Sequence, residues 1–252
     1  MSGSVLRVSI VIPVYNEALL VAEILRRVFQ APLIDHAERE VIVVDDGSTD
    51  GTVRAINEFL ADHPQHAPHL KVHAGLVNHG KGAALRAGFK LATGDILIVQ
   101  DGDLEYSPDD YPVLLAPFRD PEVLVVYGSR FHSGFPKGMR GLNLLANLIL
   151  THSTRVLYGQ RITDEATGYK VFRRSVLDRF ELHCRGFEFC PEFTGKAMLS
   201  GIRITEVPIS YNPRGILEGK KIRARDGLVA IYWLAKVRSE AAAGIVRDRM
   251  RS

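Results

Sequence analysis

Through the first hundred residues, short apolar runs alternate with stretches in which apolar positions recur every three or four residues. The runs at 8–12, 41–44, 72–76 and 96–99 have the length and composition of buried strands. The stretches 18–30, 53–60 and 82–91 have the period of amphipathic helices, as Leu20, Ile24 and Val28 illustrate in the first. Pro13 is expected to stop the first strand, and Ser48, Thr49 and Asp50 offer N-caps for the second helix. This alternation predicts βαβ units around a mostly parallel sheet. The polar clusters of this half directly follow strands, where open α/β sheets bind their ligands.

Beyond residue 100 the pattern loosens. A strand is predicted over 124–130, leading into a loop with Gly134, Pro136 and Gly138. A helix follows over 142–158, its stripe of Leu144, Leu145, Leu148, Ile149, Val156 and Leu157 interrupted by Asn143, Asn147, His152 and Arg155. Such a stripe predicts a core helix, and the alternative use of the same surface is lipid contact. Strand-like segments at 168–173 and 202–209 and a last helix at 228–237 complete the chain. With no repeat, low-complexity tract or long linker, one domain is expected over 1–238, in two halves at 1–105 and 106–238, with a tail at 239–252.

Composition narrows the function classes. In 252 residues, 46% are hydrophobic and 24% charged, ordinary for a soluble globular domain. Lysine and arginine number 32 against 29 acidic residues, too small a surplus to imply nucleic-acid binding. Charge is concentrated instead between Arg214 and Arg225, where Lys220, Lys221 and Arg223 face only Glu218, a patch suited to phosphate or an anionic membrane surface. Cys184 and Cys190 lack CxxC spacing, so a reduced, cytoplasmic protein is expected. The start of the chain lacks the apolar core of a signal peptide, and no run approaches the ~18 apolar residues of a membrane span. Contact with a membrane would therefore be peripheral, and the composition leaves the oligomeric state open.

The chemistry gathers at Asp101-Gly102-Asp103, after the apolar run 96–99. Residues i and i+2 of an extended chain point the same way, so Asp101 and Asp103 can converge on one hard divalent cation that also takes oxygens from a diphosphate. An ordinary turn is the structural alternative. The glycine-flanked Lys81 has neither the Walker A pattern nor the dinucleotide-binding spacing.

With Val8 to Glu17, Val43 to Thr52, Asn78 to Gly82 and Gln100 to Glu105 in this order, the chain resembles glycosyltransferase family 2 enzymes of the GT-A fold. Tyr127 to Phe131, Thr163-Asp164, Gly168 to Arg174 and Tyr211 to Asp226 extend the resemblance over nearly the whole chain, most closely to the polyprenyl-phosphate sugar transferases related to dolichol-phosphate mannose synthase. The resemblance implies an α/β Rossmann-like, mostly parallel sheet flanked by helices, with 1–105 binding the nucleotide sugar and 106–238 facing the acceptor. It implies a nucleotide pocket of Pro13, Tyr15, Glu17, Asp46, Lys81, Asp101 and Gly102. Asp101 and Asp103 would hold Mg²⁺ or Mn²⁺, with Glu105 a third candidate ligand in a place where relatives often carry Gln. Arg130, Arg140, Arg214 and Lys221 would meet an acceptor phosphate.

The implied reaction is a metal-assisted, inverting transfer of a sugar from a nucleoside diphosphate to a polyprenyl phosphate, with Asp101, Asp103, Arg130 and Asp164 as the catalytic candidates. A phosphate acceptor is already anionic and needs no strong base; for a hydroxyl of a soluble acceptor, Asp164 is the base candidate. A non-catalytic nucleotide-sugar-binding protein is the third reading, and the intact carboxylate pair argues against it.

Overall fold

The computed structural model describes residues 5–132, 134–135, 139, 141–213 and 224–244. Seven strands, β1 (Arg7–Val14), β2 (Glu38–Asp45), β3 (Leu70–Ala74), β4 (Ile96–Val99), β5 (Val125–Ser129), β6 (Lys170–Arg173) and β7 (Ile204–Pro208), form one sheet in the order β3-β2-β1-β4-β6-β5-β7. All neighbours are parallel except β6, which runs antiparallel to both β4 and β5. The helices are α1 (Val21–Gln30), α2 (Thr52–Asp62), α3 (Lys81–Leu91), α4 (Tyr111–Leu115), α5 (Gly141–Tyr158), α6 (Phe189–Leu199) and α7 (Ala224–Ala242).

The two-residue period of the strands divides the core. Val8, Ile10 and Ile12 of β1 join Ile96 and Ile98 of β4 on one face, under α1, α2 and α4. Val11, Leu97 and Val99 point to the other, under α3 and α6. Each such fully buried side chain contributes about 1.5–3 kcal/mol relative to exposure.

β1 does not stop at Pro13 but runs on to Val14. The Val11 carbonyl faces β4, where it accepts the Gln100 N–H, so two residues on the Pro13 nitrogen faces the same side. By then the β1–β4 pairing, which ends at Val11 and Val99, is over, so the missing donor breaks no ladder bond.

Two helices depart from the sequence pattern. α6 carries no amphipathic stripe because both its apolar residues and Glu192, Thr194 and Lys196 are buried. Its charges answer each other, Lys196 Nζ lying 2.6 Å from Glu192 Oε1. In α5 several polar positions face inward: Asn147, Thr151 and Thr154 are buried, while Leu145, Leu148, Ile149 and Val156 are exposed. The expected core stripe is largely its outer surface.

From β1 the chain winds outward to β2 and β3 and then returns to β4 on the other side of β1. The carboxyl ends of β1 and β4 therefore flank the switch point at which such sheets open a crevice. Antiparallel β6 brings its own amino end, with residues 163–169, to the same edge.

Candidate functional site

The loops after β1 and β2 are stitched together. Asn16, at φ 53°, donates its N–H to Ser48 Oγ at 2.8 Å and accepts the Thr49 N–H on Oδ1 at 2.8 Å. Glu17 N–H reaches Thr52 Oγ1 at 2.9 Å, and Ala18 N–H reaches Asp50 Oδ2 at 3.2 Å. Pro13, Tyr15 and Glu17 are half-buried at this corner. A Cβ built on Gly102 would stand 3.0 Å from Val14 Cγ1 and 4.0 Å from Glu17 Cγ, so the Asp101–Asp103 turn passes close over the end of β1.

Asp46 is committed to backbone. Its two oxygens accept the N–H groups of His79 at 2.9 Å and Gly80 at 2.7 Å, which fixes the approach to α3. Gly80 holds φ 98°, a conformation costly for any other residue. Lys81 follows as the first residue of α3. The next two N–H groups, of Gly82 and Ala83, donate to the carbonyls of Gly186 and Arg185.

Lys81 Nζ lies 2.5 Å from Asp101 Oδ1, with the two side chains 21% and 17% exposed. Burial works to lower the lysine pKa, and the carboxylates of Asp101 and Asp103 outweigh it and raise the pKa. The second oxygen of Asp101 lies against Gly168, where an added Cβ would meet Oδ2 at 2.5 Å. Asp103 Oδ1 accepts the Glu105 N–H at 3.1 Å across Leu104, which takes φ 60°. Glu105 itself turns toward Tyr211, whose hydroxyl donates to Oε2 at 3.1 Å.

In the second half of the chain, Arg130 and Asp164 form one unit. Asp164 is fully buried and accepts Arg130 Nε at 2.7 Å, its second terminal nitrogen at 2.7 Å, its backbone N–H at 3.0 Å and Asn147 Nδ2 at 3.0 Å. Burial opposes the guanidinium charge, but Asp164 overcomes it and pushes the Arg130 pKa well up. The guanidinium carbon stands 5.1 Å from the Tyr211 ring centroid and 6.0 Å from that of Tyr106. Tyr106 also accepts the Gly168 N–H at 2.9 Å, so it lies between this pair and Asp101.

Glu17, Lys81, Asp101, Gly102 and Asp103 are thus brought together, Asp46 stands behind Lys81, and Glu105 is joined to Tyr211. Arg140, Arg214 and Lys221 lie outside the described residues. Among the described residues no three His, Cys, Asp or Glu side chains form a complete metal cage. The donor chemistry still fits a hard cation, because Mg²⁺ and Mn²⁺ are commonly held by one or two carboxylates and completed by substrate phosphate and water. Gln100, Asn147, Tyr106, Gly168 and Tyr211 took no individual role from the sequence, and a polar Gln100 at the end of an apolar strand was the one local signal.

A sheet of this order, with paired carboxylates at its switch point, defines the class: a GT-A nucleotide-sugar transferase fold. The glucosyl-3-phosphoglycerate synthase of Mycobacterium tuberculosis, in its complex with UDP, superposes with a TM-score of 0.70 at 19% identity, over 94% of this chain and 81% of that one. Its complex with Mn²⁺, UDP and phosphoglyceric acid gives 0.67 at 23% identity, over 94% and 79%. The chain belongs to glycosyl transferase family 2, whose profile matches residues 9–180, and is a glycosyltransferase. It is 32% identical to the polyprenol monophosphomannose synthase of Mycolicibacterium smegmatis, over 96% of this chain and 92% of that protein. It is 28% identical to the dolichol-phosphate mannosyltransferase of Pyrococcus furiosus over 85% of this chain, spanning 59% of that longer protein.

Proposed function

We propose that the protein transfers a sugar from a nucleoside diphosphate sugar to a polyprenyl phosphate, with inversion. The observation that carries the donor half is the Lys81–Asp101 pair at the switch point, with Asp103 beside it. Tyr15 and Glu17 border the nucleoside, and Lys81, released from Asp101, turns to the diphosphate. A divalent cation held by Asp101 and Asp103 would neutralise charge on the leaving diphosphate. Glu105, whose Oε2 accepts the Tyr211 hydroxyl, would join that ligand set through its other oxygen or by leaving the hydroxyl.

The acceptor reading rests on Arg130, a buried cation whose orientation Asp164 fixes through a two-pronged contact. Both carboxylate oxygens of Asp164 are taken by Arg130 and Asn147, so Asp164 acts here by orienting Arg130. An acceptor phosphate would be an already ionised nucleophile, and Arg130, with Arg140, Arg214 and Lys221, would position it. Mannose is the first sugar to test, because it is the sugar named in two of the relatives. The test is a screen of nucleoside diphosphate sugars against a short prenyl phosphate, read by mass spectrometry. A sugar-phosphate-prenyl product is expected; transfer only to hydroxyl acceptors would overturn the acceptor assignment.

No described helix is long and apolar enough to cross a membrane. A lipid acceptor can instead be reached from a surface. Leu145, Leu148 and Ile149 of α5 and Leu228, Val229 and Tyr232 of α7 are exposed, and the helices meet at Ala146 and Gly227, where an added Cβ would lie 3.8 Å from the alanine Cβ. This apolar face, with the basic 214–225 segment beside it in sequence, is read as the part that rests on an anionic bilayer. Co-sedimentation with anionic vesicles should be strong at low salt and weaken as salt rises, and no binding at low salt would favour a soluble acceptor.

A further inference from the structure

Gln100 occupies the last position before the acidic turn and is completely buried. A buried primary amide is costly unless its donors and acceptors are met. Here they are met by four different partners. Oε1 accepts the hydroxyls of Tyr111 at 2.8 Å and Tyr169 at 2.7 Å, and Nε2 donates to the carbonyls of Asp101 at 3.0 Å and Tyr106 at 3.5 Å. The partners fix the orientation of the amide, since carbonyls only accept and the nitrogen must face them.

These contacts converge on one object. The Asp101 and Tyr106 carbonyls are the two ends of the turn that presents Asp101, Asp103 and Glu105. Tyr169 adjoins Gly168, the surface on which Asp101 Oδ2 rests, and Gly168 is held in turn by Tyr106. Gln100 and Tyr169 each stand two residues beyond the paired Ile98 and Val171, so β4 and antiparallel β6 together deliver the latch. The rings of Tyr106 and Tyr111 pack on that of Tyr169 at 5.0 Å and 6.2 Å, closing the amide off from water.

We infer that Gln100 is a positioning residue: its amide sets the two ends of the 101–106 turn and the wall behind Asp101, and thereby the geometry with which Asp101 and Asp103 meet a divalent cation. The role rests on the metal reading proposed above. Groups that orient metal ligands commonly change affinity by 10–100-fold when removed.

The test measures Mn²⁺ affinity by electron paramagnetic resonance in the presence of UDP or GDP. Gln100→Met removes the amide but strands two tyrosine hydroxyls, so it should also lower the melting temperature. The triple variant Gln100→Met, Tyr111→Phe, Tyr169→Phe also removes the stranded hydroxyls and leaves only the Asp101 and Tyr106 carbonyls without their donor, so it should lose less stability than Gln100→Met. Both should bind Mn²⁺ about tenfold more weakly, the triple with the higher melting temperature of the two and with nucleotide binding in chelator unchanged. Asp103→Asn serves as the control. If Asp103→Asn loses Mn²⁺ while both Gln100 variants, measured below their melting temperatures, keep the parent affinity, the positioning role is overturned. If Asp103→Asn keeps full affinity, the metal reading itself fails.

Discussion

A lysine paired with a carboxylate stands at each end of the sheet, and the two pairs differ in what else surrounds the acid. At the amino end Glu40 accepts Lys71 Nζ at 2.6 Å, the Thr93 N–H at 2.8 Å, the Thr93 hydroxyl at 2.9 Å and the Ser9 hydroxyl. At the carboxyl end Asp101 meets Lys81 at 2.5 Å and otherwise lies against Gly168. A carboxylate whose acceptor sites are filled by the protein holds the fold together, whereas one answered, among the described residues, by a single ammonium can exchange that partner for a ligand. The same distinction sorts the other acids: Asp46 and Asp164 are filled, by backbone and by Arg130, and so act through what they hold.

The largest effect expected from this contrast is at the carboxyl end. Asp103→Asn should lower transfer about a thousandfold while leaving the melting temperature within a few degrees, because it removes charge at the place where diphosphate charge develops. Excess chelator should reproduce the loss in the parent protein. Undiminished turnover under either condition would show that Asp101 and Asp103 are not where the cation acts.

The pair Arg130–Asp164 comes next. Arg130→Ala should impair transfer to prenyl phosphate about a hundredfold and hydrolysis of the donor far less. Since Asp164 acts through Arg130, Asp164→Asn should cost nearly as much, and the double variant should be no worse than the single ones. Additive losses, or an Asp164→Asn enzyme crippled toward hydroxyl acceptors alone, would return Asp164 to the role of general base.

A smaller change is expected at Lys81, and its sign is the informative part. Lys81→Gln removes the cation resting on Asp101, so Mn²⁺ affinity without nucleotide should rise while affinity for a nucleoside diphosphate falls, each by about tenfold. Isothermal titration with Mn²⁺ and with UDP or GDP reads both. Two changes of the same sign would mean that lysine and metal do not share the carboxylate.

How far this division could be read in advance depended on the range of the contacts. The motifs of the first hundred residues sit directly after strands that four or five apolar residues suffice to mark, so Asp46, Lys81 and Asp101 could be placed at the correct edge from local pattern. What Asp46 does there could not, because its partners at 79 and 80 lie across a helix, a strand and a loop. Asp164 meets Arg130 only because β6 turns antiparallel, a choice of direction that no local period records. α6 was invisible because burial all around, with Glu192 and Lys196 paired internally, erases the stripe. In α5 the stripe was legible but its orientation was not, since the same leucines serve a core or a lipid surface.

The smallest effect belongs to the filled end and concerns stability alone. Burial pushes the Glu40 carboxyl up, yet donation from Lys71, Ser9 and Thr93 prevails and brings its pKa down to about 2 from an ordinary 4.5. A carboxyl lowered on folding contributes stability that is present above its unfolded value and is lost as pH falls through the folded one. Glu40→Gln keeps one acceptor oxygen but surrenders the charge, so it should cost about 2 kcal/mol at pH 7, equivalent to about 4–8 °C in melting temperature. The difference from the parent protein should narrow between pH 4.5 and pH 2, where the parent loses the same charge. Turnover per folded molecule should stay unchanged, because Glu40 touches nothing at the crevice. A gap that persists unaltered to pH 2 would mean that shape rather than charge holds this end, and a loss of turnover would mean that the two ends are not independent.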